Sequence, residues 1–185
     1  MTGTMPAWMK ATLAIFAALA AFLLWRGFRF MPNTTLLILH GLVAVALLGT
    51  ITHQTVAVVW PSRPGDSFVS SFRAVAAGRY TQANVWLYLT STLLGALIYP
   101  AYRLAVRPYL ESARLGTING SFELKEQFAA IGLGLLPLYW LLWRRPLEER
   151  QATARAVVTA MLCFVVWYGF LAGHVINNVR GLYGR

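Results

Sequence analysis

Acidic side chains are nearly missing from this chain: Asp and Glu together number six in 185 residues, and none lies deep in an apolar run. An ion-coupled transporter ordinarily keeps an ionisable group or a broken helix near the bilayer midplane, so this scarcity argues against that class. Cysteine occurs once, at Cys163, which excludes an intrachain disulfide and leaves a small apolar side chain. Also absent are a glycine-rich phosphate loop, a Gly-x-Ser-x-Gly elbow and a His-Glu-x-x-His pair. No independent catalytic signature is left, so enzymatic activity stays open and at most that of a redox subunit.

What is plentiful is hydrocarbon. Hydrophobic residues make up 58% of the chain and charged residues 12%, far from an ordinary soluble domain. Apolar runs approach the roughly 20 residues that cross a hydrocarbon layer of ~30 Å. The expected fold is therefore an all-α integral membrane protein, one transmembrane domain over 1–185 built as a five-helix bundle. The net charge of +10 would suggest nucleic acid in a soluble protein. Here Lys and Arg cluster beside the apolar runs, where lipid headgroups sit, so the expected partners are the bilayer and other membrane subunits, with no nucleic acid.

The spans are expected at about 6–28, 34–60, 83–106, 128–143 and 156–176. Trp25 and Arg26 close the first with no small-residue cleavage site, so it reads as an anchor and not a signal peptide. Trp60-Pro61 closes the second. The third carries Pro100 near its end, followed by a collar that includes Tyr102, Arg103, Arg107 and Tyr109, and a kink is expected there. The fourth is the shortest, with Gly132, Gly134 and Pro137 suited to bending or close packing; without it the bundle would have four spans. Between the second and third spans, Phe68, Phe72 and Val75 at helical spacing predict a short amphipathic interfacial helix at about 67–79. Asn119-Gly120-Ser121 reads as a turn and helix start, with mixed charges including Glu123, Lys125 and Glu126 as a solvated cap. Leu147 to Arg155 reads as a short charged connection. Lys and Arg, sixteen in all, split eight to eight between the two faces. The dense cluster from Arg144 to Arg155 favours a cytoplasmic N-terminus, in what is expected to be a bacterial inner membrane.

All three histidines, His40, His53 and His174, fall in spans, and an intramembrane imidazole is a functional candidate by default. Alternating helices place His40, near the start of the second span, and His174, near the end of the fifth, at similar depth. Two imidazoles facing each other across a bundle can hold the iron of a b-type haem, and Gly41 and Gly173 beside them would leave room for a flat macrocycle. On these four residues the pattern resembles cytochrome b-like bundles. The resemblance implies haem b bound by His40 and His174 in a small electron-transfer protein or subunit. The same imidazoles could equally tie helices by hydrogen bonds in a cofactor-free accessory subunit, or, with less support, ligate a chlorophyll-type magnesium.

A second haem fails on geometry. His40 and His53 are thirteen residues apart, which at about 100° per residue leaves their side chains roughly 140° apart. Met161, thirteen residues before His174, meets the same objection. His53 has polar neighbours in Thr50 and Gln54, a patch that could bind a quinone headgroup, line a proton path or tie helices together.

Overall fold

The computed structural model describes residues 33–60, 78–144 and 149–180, and among them every extended element is helical. We number the helices α1 (Asn33–Val59), α2 (Arg79–Ala101), α3 (Arg107–Ser112), α4 (Gly116–Arg144) and α5 (Glu149–Val179). Four are long. Three stretches, Asn33–Val59, Arg79–Ser112 and Gln151–Val179, are long and apolar enough to cross a membrane. α4 is long enough but its N-terminal half carries Glu123, Lys125 and Glu126.

The long helices form a closed ring in which α1 packs on α2, α2 on α4, α4 on α5 and α5 back on α1. Each neighbouring pair is antiparallel, as its cross-links show. Between α1 and α2, the Gln54 side chain meets Thr81 while His40 meets Ser91. Between α4 and α5, Trp143 meets Thr159 and Phe128 meets Tyr168. Between α1 and α5, Trp167 donates to the Thr52 hydroxyl at 2.9 Å.

Each helix turns a seven-residue pattern of contacts inward. On α1 it runs through His40, Ala44, Leu47, Ile51 and Gln54, and on α2 through Asn84, Tyr88, Ser91, Gly95, Ile98 and Tyr102. On α4 it runs through Phe122, Lys125, Ala129, Gly132, Leu136 and Tyr139, and on α5 through Thr159, Leu162, Val166, Gly169, Gly173 and Ile176. These positions are the buried core or line the cavity described below. The outer faces are apolar too: Val157, Met161, Phe164, Leu171 and Val175 form an exposed stripe down α5, and Ile38, Leu42 and Val45 one on α1. Such faces suit hydrocarbon and not water.

Several expected boundaries move. The first expected span, 6–28, lies outside the described residues, so the five-helix count becomes four long helices over what is described. The interfacial helix expected at 67–79 also lies outside them, except that Arg79 opens α2 after a turn at Gly78. α4 starts at Gly116, which puts Asn119-Gly120-Ser121 inside a helix and not at a turn. The turn comes earlier, at Ala113 and Arg114, where Arg114 takes a left-handed φ of 56°. The expected connection up to Arg155 is helical from Glu149, because nothing in Gln151-Ala152-Thr153-Ala154 breaks a helix. The kink expected at Pro100 is a widened turn: Tyr102–Val106 is π-helical, with the Arg107 N–H reaching the Tyr102 carbonyl. Pro100 has no N–H to offer the preceding turn, which loosens the ladder at that point.

Gly132 is where α2 and α4 close on each other. The Tyr88 hydroxyl donates to the Ala129 carbonyl at 3.0 Å and fills the space that a side chain at 132 would need. By contrast, nothing lies within 4 Å of the corresponding point at Gly134. Gly132→Ala should therefore destabilise the folded protein by about 1–3 kcal/mol through overpacking. Tyr88→Phe, which removes the clashing hydroxyl, should cost less in the Gly132→Ala background than alone. Unfolding midpoints in detergent for the four proteins of this cycle check it; additive effects would show that the two residues do not compete for space.

Candidate functional site

The two ends of the bundle differ in kind. At one end a buried polar cluster ties α1, α2 and α4: Gln54, Asn84 and Tyr139 are 0%, 2% and 0% exposed. Gln54 Nε2 donates to Thr81 Oγ1 at 3.0 Å, Asn84 Nδ2 donates to Gln54 Oε1 at 2.8 Å and contacts the Tyr139 hydroxyl oxygen at 2.9 Å, and that hydroxyl donates to Gln54 Oε1. A second tie joins α4 to α5, where Trp143 donates to Thr159 at 3.0 Å and buried Arg155 donates to the Leu142 carbonyl at 2.5 Å while stacking on Trp143.

Of the polar patch read from the sequence, the structure puts Gln54 into this cluster, with oxygen and nitrogen both engaged. Thr50 bonds back to the Ala46 and Leu47 carbonyls of its own helix, and the His53 ring lies 5.0 Å from that of Tyr80. The Gln54 and His53 contacts join α1 to its neighbours, whereas that of Thr50 stays within α1. Gln54→Leu should strand the Asn84 amide and the Tyr139 hydroxyl and cost roughly 1–2 kcal/mol. Detergent unfolding checks this, and an unchanged midpoint would show that the cluster is not a tie.

At the other end the helices line a cavity of about 590 Å³, partly open to the outside, within the range of about 300–1,000 Å³ usual for small-molecule sites. Its cause is a run of small inward residues: Ala44, Ser91, Gly95, Ala129, Gly169 and Gly173 all line it. Tyr102 and Phe122, stacked with centroids 3.6 Å apart, close it toward α3. The loop-side cap is held by Arg107, 2.6 Å from Glu111 and 3.8 Å from Glu123.

Both His40 and His174 line this cavity, as do Gly41 and Gly173. Thr52 on α1 meets Cys163 and Trp167 on α5; twelve residues back from Thr52 lies His40, and eleven on from Cys163 lies His174. The antiparallel pairing therefore brings the two histidines to one level, about 17 Å from that contact at 1.5 Å per residue. His40 sits on the inward stripe, half-buried, with Nδ1 3.0 Å from the Ser91 carbonyl and Cε1 over Gly95. If Nδ1 carries the proton, the ring is fixed in the tautomer that offers Nε2 to a ligand. His174 is one step off the stripe, exposed at the cavity edge, its ring parallel to Phe170 within 6°. His53 and Met161 do not line the cavity.

One cavity residue escaped the sequence reading as a site. Lys125, expected in a solvated cap, instead projects inward across Gly169 and Gly173, its Nζ 3.1 Å from where a Cβ on Gly173 would sit. Gly173 thus makes room for a lysine, while the space over Gly41 is open. Burial pushes the Lys125 ammonium below the ordinary lysine range, with Glu126 opposing. Burial likewise raises the Glu126 carboxyl, with Lys125 opposing. The signal that could have found Lys125 is its phase, three residues after Phe122 and seven before Gly132 on the inward stripe.

No family model matches this chain, and no curated protein or solved structure is significantly similar to it.

Proposed function

We propose that this protein is a small membrane electron carrier, or the redox subunit of a larger membrane complex, that holds one b-type haem in the cavity between His40 and His174. The observation that carries the reading is that imidazoles from two antiparallel helices line one cavity, the His40 ring inward with Nδ1 on a backbone carbonyl and the His174 ring at the exposed edge. A metal-ligating histidine is ordinarily oriented by just such a bond on its other ring nitrogen. Bound there, the group would supply one-electron redox chemistry between a reduced membrane donor and a redox partner at the cavity end, with the His40 and His174 imidazoles as the residues that would hold it. The surrounding residues would exclude water and hold the ring in place: Ala44, Ala129 and Leu133 supply an apolar wall, and Tyr102 and Phe122 a lid.

The reading includes a bacterial inner membrane, and it takes a cytoplasmic N-terminus from the basic cluster Arg144 to Arg155. The cavity end would then face away from the cytoplasm. Protein purified in detergent from cells supplied with haem should show sharp reduced-minus-oxidised bands, lost in His40→Ala and strongly weakened or shifted in His174→Ala. A colourless wild type that also takes up no added haem, still folded and still co-purifying with its partners, would overturn the carrier in favour of a cofactor-free accessory subunit.

A further inference from the structure

The cavity has a sign as well as a size. Its walls are mostly apolar, yet Lys125, His40, His174 and, at the mouth, Arg180 all reach it, against the single carboxylate of Glu126. Lys125 forms no ion pair among the described residues. Among the described residues it lies over the face of Phe122, 5.4 Å away, beside the neighbouring Glu126 carboxylate and near enough to His40 to act on its ring. Arg180 is engaged on the Tyr109 ring at 4.5 Å. An ammonium turned into an apolar space without a close counter-charge is costly, and Gly173 on α5 leaves the space that its Nζ occupies.

We infer that Lys125 anchors the carboxylate of an amphiphilic ligand whose apolar body fills the cavity. This rests on the haem reading only for the identity of the ligand, since a haem propionate and a fatty acid present the same carboxylate. Whichever it is, the apolar body lies among the small residues of the four helices and the carboxylate points to the charged end of α4. A charge-assisted hydrogen bond from an ammonium among apolar walls favours the acid over its ester.

Binding to the full-length protein in lipid nanodiscs tests this with two matched pairs of probes, haem against haem dimethyl ester and palmitate against methyl palmitate. Wild type should bind the acid of at least one pair about tenfold or more tighter than its ester. Lys125→Met, which keeps the stem, should bind acid and ester alike, and Lys125→Arg should keep the preference. A preference confined to haem identifies a propionate. A preference for palmitate with no haem bound removes the haem reading and leaves Lys125 as a carboxylate anchor. If Lys125→Met still prefers the acid, or if wild type distinguishes neither pair, the inference is overturned. Unfolding of each variant without ligand separates a binding loss from a folding loss.

Discussion

The side-chain amide of Gln54 fixes what the rest of the bundle can be. Helices in hydrocarbon have little hydrophobic reason to choose one register over another, so polar contacts and close packing must choose it. Gln54 engages Thr81 and Asn84 of α2 and, across the ring, Tyr139 of α4 at once. A one-residue slip of α1 would rotate the amide by about 100° and leave three buried polar groups without it. The same register, carried about 21 Å along α1 at 1.5 Å per residue, sets His40 opposite Ser91 and Gly95. The tie at one end thus determines the cavity at the other.

The cavity then follows from side-chain size. Near the cluster the inward residues are large, Ile51, Tyr88, Leu136 and Leu162, and the core is filled. Toward the other end they become Ala44, Ser91, Ala129 and Gly169, while the ring of helices persists. Close approach would normally collapse such a layer, as it does where Tyr88 meets Gly132. Beyond it the contact between α2 and α4 is made by the stacked Tyr102 and Phe122 rings, next to the π-helical turn at Tyr102–Val106. A π turn inserts an extra residue into a turn, which shifts the phase of everything after it. That shift lets Val106 and Leu110 continue facing inward, where they pack with Ile176 of α5.

The parts of this fold legible in the sequence are those that depend on long apolar runs. α1 lies within one residue of the expected 34–60, because Pro32 and Pro61 bracket it. The depth of His40 and His174 followed from helix alternation alone. Boundaries set by weaker signals shifted. The turn before α4 rests on Arg114 in a left-handed conformation that glycine or asparagine would have advertised, and the charged start of α5 has no breaker in it. Lys125 was hidden differently: charge type suggested solvent, whereas phase put it on the same face as Gly132 and Tyr139. Composition was the louder signal and phase the more informative one.

That phase has a consequence for how a charge survives inside. A lysine stem covers four methylenes, and its burial along Gly169 and Gly173 recovers contact that an outward rotamer would lose. Snorkelling to the headgroups is open to a lysine near a helix end, yet this side chain lies inward, between the levels of His40 and the aromatic lid. Glycine at 169 and 173 weakens α5 by roughly 0.5–1 kcal/mol apiece relative to alanine, and alanine at 173 would press on the ammonium at 3.1 Å. Two helix-weakening residues and one desolvated cation therefore share a single place in the bundle. Packing alone would be served as well by a leucine at 125 and alanines on α5, and the proposed carboxylate ligand is what would account for the lysine.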